Sequence, residues 1–153
     1  MSLSKIIISF LVIFRFLIAC SDEKNPNRED LRKDQITVIY LDFWSSGCPP
    51  CIKQFEHSNR IKVLYGDKKL VQIYISIEPN RKIWEKACNK YDLKDESYYV
   101  GNRFTSKQLE KINIKYFPHY VLYDKNGNLV IESAPRPDNK DLLKLLDKYL
   151  AEK

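Results

Sequence analysis

The most constraining feature of this sequence is an apolar segment that runs into two cysteines separated by two prolines, Leu41 to Cys51. The prolines fit the first turn of a helix, where a missing N–H donor costs nothing. Cys48 would then stand at the helix N-terminus, where unpaired N–H groups and the helix dipole favour a thiolate. Cys51, one turn further on, is placed to close a disulfide with it, and each closing or opening moves two electrons. The segment therefore predicts a strand that leads into a redox-active dithiol.

The cysteine pair has two other interpretations. A structural zinc site needs four ligands, which usually come as two such pairs. Apart from Cys20, the sequence offers these cysteines and histidines: Cys48, Cys51, His57, Cys88 and His119. A purely structural disulfide across two residues would add little stability, because the loop-closure term grows with loop length. We therefore predict a redox dithiol, no metal site and no cofactor beyond the dithiol itself.

The composition predicts one packed domain. Of the 153 residues, 44% are hydrophobic and ten are tyrosines, so a core is available and the composition disfavours extensive disorder. The formal charge of +6 is modest and is spread over segments of mixed sign, which is typical of a solvated surface. Because no nucleic-acid-binding motif is visible, we predict no nucleic-acid partner.

The N-terminal residues have the pattern of a secretory signal. Lys5 precedes an apolar run from Ile6 to Phe14 that only Ser9 interrupts, and Arg15 breaks the stretch close to the cleavage point. The run is too short to span a bilayer comfortably, which takes about 20 residues. We predict a signal peptide at residues 1–19, and an uncleaved anchor or a plain signal peptide with an incidental cysteine are the alternatives.

The residues that end this segment, Leu17 to Cys20, resemble a bacterial lipobox, in which the cysteine is diacylated and becomes the new N-terminus. The resemblance implies that Cys20 is a lipid anchor and not a redox group. Residues 20–34 are polar and predict a tether with a reach on the order of 20 Å, followed by a folded domain at residues 35–153. Ser21 weakly favours the outer membrane, and the acidic pair after it leaves surface export open.

Apolar patterns predict a parallel β-α-β unit at the start of the domain. Gln35 to Trp44 is rich in β-branched and apolar residues, a helix runs from Pro49 to about Leu64, and Leu70 to Ile77 alternates as a second strand. Asn80 to Tyr91 is predicted as a helix whose apolar side includes Cys88. Cys88 is therefore expected to be a buried core residue, and a third, resolving or regulatory thiol is the alternative.

The second half of the domain predicts a β-hairpin and a closing helix. An irregular stretch, residues 92–103, precedes a short helix at residues 106–112. The later elements are a strand at residues 120–123, a turn at 124–127, a returning strand at 129–132 and a helix capped by Asp138 or Asn139. Helical spacing predicts the buried face of the first helix as Ile52, Phe55, Asn59, Ile61 and Leu64, and that of the last helix as Leu142, Leu143, Leu146, Tyr149 and Leu150.

Two features together resemble the thioredoxin superfamily: Asp42-Phe43-Trp44 just before Cys48-Pro49-Pro50-Cys51, and Phe117-Pro118 further along. The later segments narrow the resemblance to TlpA/ResA-like thiol-disulfide oxidoreductases. It covers about Gln35 to Leu150 and implies an α/β, thioredoxin-like fold with a central mixed β-sheet flanked by helices. It also implies a TlpA-type helical insertion at residues 77–113, with Cys48 as the attacking thiolate and Cys51 as the resolving thiol.

The resemblance implies two further catalytic residues. Pro118 matches a cis-proline that faces the dithiol and leaves the neighbouring backbone free to pair with a polypeptide; a trans-proline that begins an edge strand is the alternative. Asp42 matches a buried acid beneath the dithiol. Since Tyr40, Asp42 and Trp44 share one face of a covered strand, we expect a desolvated carboxyl with a raised pKa that accepts the proton of Cys51. An outward-facing Asp42 is the alternative.

Residues around the dithiol are expected to bind the substrate: Trp44, Pro49, Pro50 and Phe117. Three positions depart from the family pattern, since Gly47 replaces an exposed tryptophan, Gln54 replaces a common glutamate and Glu56 replaces a common proline. Phe117 and His119 also differ from the usual neighbours of the proline. We expect His119 to be a hydrogen-bonded residue at the sheet margin, and a position near the dithiol is the alternative.

The two prolines also bear on the direction of electron flow. Neither can donate an N–H to the Cys48 sulfur, so we expect its pKa to be only moderately lowered and the dithiol to be reducing. The resemblance then implies an envelope reductase of protein disulfides, a periplasm-facing or surface lipoprotein. Its partners would be a DsbD-like membrane thiol-electron transporter and clients such as apocytochromes c. Two rivals stay open: a thiol peroxidase, and a thioredoxin-fold binding module or metal carrier without turnover.

Overall fold

The described elements come from a computed structural model of the chain, which covers residues 38–66, 69–94, 96–101, 112 and 114–151. In chain order they are β1 (Val38–Trp44), α1 (Pro49–Tyr65), β2 (Leu70–Ser76), α2 (Arg81–Tyr91), β3 (Ser97–Tyr99), β4 (His119–Tyr123), β5 (Leu129–Ile131) and α3 (Lys140–Ala151). The predicted signal peptide, the tether with Cys20 and residues 106–111 of the predicted short helix lie outside the described residues. Within those ranges, no helix combines the length and the apolar character needed to cross a membrane.

Strand β1 is the centre of a mixed five-stranded sheet with the order β3-β2-β1-β4-β5. It pairs in parallel with β2 and antiparallel with β4. A strand covered on both faces needs apolar residues at nearly every position, and β1 is buried throughout except at Ile39, which is half-buried. The sheet confirms the predicted thioredoxin-like α/β fold, with α2 in the segment that the resemblance identifies as the helical insertion.

The stretch after α2 corrects the sequence prediction. Residues 92–103 were expected to be irregular, but Ser97–Tyr99 forms the edge strand β3, parallel to the end of β2. Its pairing is continued by the Val100 N–H, which donates to the Ser76 carbonyl at 3.1 Å. A strand of three residues is too short for a period-two pattern to appear, so tertiary pairing with β2 decides its conformation.

Both faces of the sheet carry apolar side chains. One face includes Leu41, Phe43, Ile73, Ile75 and Val121. On the opposite face, Tyr40 and Leu122 of the strands pack with Ile61 of α1 and with Leu142 and Leu146 of α3. A third cluster joins the start of α1 to α2 and consists of Trp44, Cys51, Phe55, Tyr74, Ala87, Cys88 and Leu93. We call this last group the dithiol cluster, because it contains the buried cysteine of the pair.

Helix α1 buries a face that differs from the predicted one. Phe55 and Ile61 are buried as expected, but Leu64 is 58% exposed and Asn59 is exposed as well. The buried positions of α1 are Cys51, Gln54, Phe55, Ser58, Ile61 and Tyr65. Tyr65 is drawn inward because its hydroxyl donates to a carboxylate oxygen of Asp147 in α3 at 3.0 Å. The burial of Tyr65 thus goes together with a polar contact to another helix, which the apolar pattern of α1 did not predict.

The loop before α3 is hydrogen-bonded to β1 and β4. The Ala134 N–H donates to the Tyr120 carbonyl at 2.8 Å, and the Tyr40 hydroxyl donates to the Pro135 carbonyl at 2.7 Å. Of the two predicted caps, Asn139 is the one that begins α3, because its Oδ1 accepts an N–H from the first turn at 2.9 Å. The predicted apolar stripe of α3 packs against the sheet, with Leu142 and Leu146 fully buried.

Gly101 is a position where the backbone requires glycine. Its φ is +52°, and a Cβ placed there would lie 2.6 Å from the ring of Tyr99. Side chains other than hydrogen are disfavoured in this left-handed region.

Candidate active site

Cys48 and Cys51 form a disulfide at the N-terminus of α1, with their Cα atoms 5.3 Å apart. The two residues differ in access, because Cys48 is partly exposed whereas Cys51 is fully buried. A substrate sulfur can therefore approach Cys48 but not Cys51. This asymmetry suits an exchange in which Cys48 makes the first attack and Cys51 acts only from within the protein.

Backbone geometry places one N–H donor at the Cys48 sulfur. Cys48 caps α1, and its Sγ accepts the Cys51 N–H at 3.2 Å. Pro49 and Pro50 form the first helical positions and are exposed, as predicted. Because neither proline has an N–H, the sulfur gains no donor from the residues between the cysteines. A thiolate with few donors is stabilised only moderately.

Asp42 is buried on the side of the sheet that carries α1. Its side chain is 3% exposed, and within the described part of the chain neither carboxylate oxygen has a hydrogen-bond partner. Burial raises the pKa of Asp42 well above its ordinary value of 3.8. Asp42 shares its face of β1 with Trp44, which packs in the dithiol cluster beside Cys51. The carboxyl thus lies inside the sheet, beneath the helix that presents the dithiol.

Two buried tyrosines flank Asp42 across the sheet. The strand register puts Tyr74 of β2 on one side and Tyr120 of β4 on the other. Burial raises the pKa of both hydroxyls, and the negative charge of Asp42 raises each of them further. Both phenols therefore stay neutral at physiological pH, which leaves Asp42 as the titrating group of this trio.

The peptide bond between Phe117 and Pro118 is cis, as the resemblance implies. Pro118 is buried, and Phe117 packs against the dithiol cluster together with Cys48. The segment before β4 therefore lies next to the dithiol. Tyr116, immediately before it, is 63% exposed and adds an aromatic ring to the adjoining surface.

His119 is a hydrogen-bonded residue of the sheet. In the register it lies opposite Phe43, so its side chain is on the face away from Asp42. Its Nε2 lies 2.8 Å from the Glu132 carbonyl, which requires that nitrogen to be the donor. Burial lowers the pKa of His119, although this hydrogen bond opposes the shift. Of the two interpretations of His119, the structure therefore supports the sheet residue and not a group that tunes the dithiol.

Trp44 is not placed to bind substrate, contrary to the sequence prediction. Its side chain is fully buried and meets the Phe55 ring edge-on, with 5.2 Å between ring centroids. Strand alternation puts Trp44 on the covered face of β1, where it packs under α1 and supports Cys51. The other predicted substrate-binding residues do reach the surface at least in part, namely Pro49, Pro50 and Phe117.

Gln54, the departure from glutamate, is buried and bonded twice to Asp138. Its Nε2 donates to the Asp138 carboxylate at 3.0 Å, and its Oε1 accepts the Asp138 N–H at 3.1 Å. The amide has the donor and the acceptor that these two bonds need, whereas an ionised glutamate has no donor and would bring a second negative charge against Asp138. Gln54 therefore ties α1 to the loop before α3 and carries no titrating proton.

Glu78 is a residue of this site that the sequence analysis missed. It is 5% exposed, and its carboxylate accepts the N–H of Ser46, in the loop between β1 and Cys48. A signal was available, because Glu78 follows β2 and the carboxyl ends of parallel neighbouring strands lie at the same edge of a sheet. The acid after β2 should therefore have been expected beside the loop that follows β1.

Cys88 is a buried core residue, as predicted. It is 3% exposed within the dithiol cluster, and burial raises the pKa of its thiol, although hydrogen bonds from its surroundings oppose the shift. A buried, protonated thiol is a poor nucleophile. Across the described ranges, no group of three or more histidine, cysteine, aspartate or glutamate side chains is arranged to hold a metal ion.

Similar proteins identify the family of this chain. A family model described as thioredoxin-like matches residues 35–129, more than half of the sequence. The chain belongs to the thioredoxin-like family. The thiol-disulfide oxidoreductase ResA of Bacillus cereus is 25% identical over 92 residues, which make up 60% of this chain and 51% of that protein. The chain thus spans about half the length of this curated relative.

Solved structures share the same fold. A Bacteroides vulgatus protein named as a thiol-disulfide oxidoreductase has 27% sequence identity and a TM-score of 0.67, over 78% of this chain and 82% of that one. A thiol:disulfide interchange protein from Bacteroides sp. has 24% identity and a TM-score of 0.65, over 80% of this chain and 78% of that one. The curated relative and these structural neighbours therefore all carry names of thiol-disulfide exchange proteins.

Proposed function

We propose that this chain is a thiol-disulfide oxidoreductase that reduces protein disulfides. The observation that carries the proposal is the disulfide at the start of α1, in which Cys48 is accessible and Cys51 is fully buried. A buried carboxyl on the same side of the sheet supplies the proton acceptor that the buried thiol needs. The names of the similar proteins support the same class of activity.

The proposed reaction begins with the reduced dithiol. The Cys48 thiolate attacks a substrate disulfide, whose S–S bond breaks as a Cys48–substrate disulfide forms, and the departing substrate thiolate takes a proton from solvent. Cys51 then gives its proton to the Asp42 carboxylate and attacks the Cys48 sulfur. That step closes the Cys48–Cys51 disulfide and releases the second substrate sulfur as a thiolate. Two electrons pass to the substrate, so the dithiol must be reduced again before the next turnover.

The direction of electron flow is proposed from the donors around Cys48. The two prolines offer none, and the Cys51 amide offers one. We expect the Cys48/Cys51 pair, in the chain from Ser21 onward, to equilibrate with a dithiothreitol redox buffer near the thioredoxin potential of about −270 mV. A value near that of DsbA, about −120 mV, would mean that the chain is an oxidant and that electrons flow the other way.

The proposed location is the bacterial cell envelope, with Cys20 as a lipid anchor. Support comes from the signal-like N-terminus and the lipobox resemblance. Cys20→Ala is expected to move the protein from the membrane fraction to the aqueous fraction of a bacterial lysate, whereas Cys88→Ala, a substitution in the core, leaves the distribution unchanged. Retention of the Cys20→Ala protein in the membrane fraction would contradict the lipid anchor.

The proposed partners follow from the chemistry of a reductase in an oxidising compartment. Disulfides persist there, so a dithiol that donates electrons needs a source of electrons from the membrane. A DsbD-like thiol-electron transporter fits this requirement. The clients would be envelope proteins with disulfides to be opened, with apocytochromes c as candidates by resemblance.

A further inference from the structure

The loop that joins β1 to the dithiol is held by the neighbouring strand. It consists of Ser45, Ser46 and Gly47, and the Cys48 N–H donates back to the Ser45 carbonyl at 3.2 Å. Gly47 is exposed, and a Cβ placed on it would meet only the Ser45 hydroxyl, at 3.9 Å. Side-chain packing at Gly47 therefore does not hold the loop, whereas the carboxylate of Glu78 bonds directly to the Ser46 amide.

Glu78 is itself placed by the end of the sheet. The Ile77 N–H donates to the Trp44 carbonyl at 3.0 Å, which extends the pairing of β1 and β2 to the start of the loop. The Glu78 N–H donates to the hydroxyl of Ser76, a fully buried residue, at 3.3 Å. These bonds fix the backbone of Glu78, and its 5% exposed side chain reaches Ser46 from a rigid base.

The chemistry of this contact suits a positioning role. Acids are almost never buried unless their charge is paired or hydrogen-bonded, and the partner here is a backbone N–H of the loop. Ser46 lies two residues before Cys48, so a shift of its amide moves the sulfur and the N-terminus of α1 together.

We propose that Glu78 is a positioning residue for the reaction: its carboxylate holds the Ser46 amide and thereby fixes the Cys48 sulfur for attack on a disulfide. The assignment rests on the proposed function. Glu78 acts through Ser46 and does not itself exchange a proton or an electron. The Cys-Pro-Pro-Cys motif does not predict this contact, because Glu78 follows β2 and is far from the motif in the sequence.

Two substitutions of matched size separate the hydrogen bond from the bulk of the side chain. Glu78→Gln keeps an oxygen acceptor at the same reach, whereas Glu78→Met keeps the length without the acceptor. For the full chain reducing insulin, we expect kcat/KM to fall about tenfold or more in Glu78→Met, through kcat, because small displacements of a reacting group are costly. Glu78→Gln should stay within about threefold of the wild type. The control is Glu85→Met, which removes an exposed acid that pairs with Arg81 in α2.

The outcomes distinguish this proposal from the proposed function. An active wild type with an equally active Glu78→Met variant overturns the role of Glu78 and leaves the function standing. If the wild type reduces no protein disulfide, the proposed function is wrong, and hydrogen exchange at the Ser46 amide still tests the contact with Glu78.

We expect the Ser46 amide to exchange slowly in the wild type and in Glu78→Gln, and about tenfold faster or more in Glu78→Met. Equal exchange rates in the three proteins would overturn the proposal. Should the methionine variant not fold, Glu78→Asp, one methylene shorter, takes its place with the same expectation.

Discussion

Replacing Cys48 with serine is expected to abolish disulfide reduction, whereas replacing Cys51 with serine is expected to stop it after a single exchange. Cys48 is the accessible member of the pair, so a serine there removes the sulfur that the substrate can reach. Without Cys51, the bond between Cys48 and the substrate forms but nothing inside the protein can break it. Insulin reduction should fall to the uncatalysed background in both variants. Mass spectrometry should find a substrate-linked adduct only with Cys51→Ser.

Cys88→Ser is the control for these two variants, because it also removes one sulfur but from the core. Reduction of insulin by folded Cys88→Ser should match the wild type. Full turnover by Cys51→Ser would contradict the dithiol mechanism. If the wild type shows no turnover and Cys51→Ser still functions in the cell, the results would favour a thioredoxin-fold binding module or metal carrier over an oxidoreductase. Peroxide consumption that depends on Cys88 would instead indicate a thiol peroxidase.

Replacing Asp42 with asparagine is expected to slow the second exchange step by about 100-fold or more, since general base catalysis contributes factors of this size. The asparagine keeps the shape of the side chain but cannot accept the proton of the Cys51 thiol. In the wild type, this step should speed up with rising pH as Asp42 loses its proton, through a pKa above the ordinary 3.8. Rapid mixing of a Cys48-linked substrate adduct at several pH values measures the step. An unchanged pH profile in Asp42→Asn would exclude Asp42 as the base.

The same variant should change the pH dependence of stability. Because burial raises the pKa of Asp42, the folded chain keeps a proton that the unfolded chain has lost above about pH 3.8. Folding then takes up a proton, so wild-type stability falls as pH rises from 3.8 to the folded-state pKa. Near pH 3, where Asp42 is protonated in both states, the free energy of unfolding of Asp42→Asn should match that of the wild type. Near pH 8 it should be more stable than the wild type, because asparagine carries no charge that burial would desolvate.

Urea unfolding of both oxidised proteins at the two pH values tests this expectation. The matched control is Asp141→Asn, which removes an exposed carboxylate in the first turn of α3. Its difference in free energy of unfolding from the wild type should be the same at both pH values. A stability difference between wild type and Asp42→Asn that is the same at both pH values would contradict the raised pKa. That result would also weaken the role of Asp42 as the proton acceptor.

Local sequence signals were enough wherever neighbouring residues determine the outcome. The prolines and Cys48 define the start of α1, because helix capping and the fixed φ of proline act within one turn. The turn at residues 124–127 is held by the Asp124 carboxylate, which accepts the N–H groups of Asn126 and Asn128 at 2.8 Å each. The alternation of β1 likewise showed that Asp42 and Trp44 share a face. Each of these depends on contacts only a few residues apart.

The sequence by itself determined the fold class and the dithiol, and it favoured the burial of Asp42 that the structure shows. Tertiary structure decided what depends on residues far apart in the chain. Trp44 was predicted to meet substrate and is buried instead, because α1 covers its face of the sheet. Strand β3 forms because it pairs with the edge of β2. Glu78 lies at the site because the parallel strands β1 and β2 end at the same edge of the sheet. The physical reason is the same in each case: the contacts that stabilise these arrangements are made with residues far away in the sequence, which a local pattern does not include.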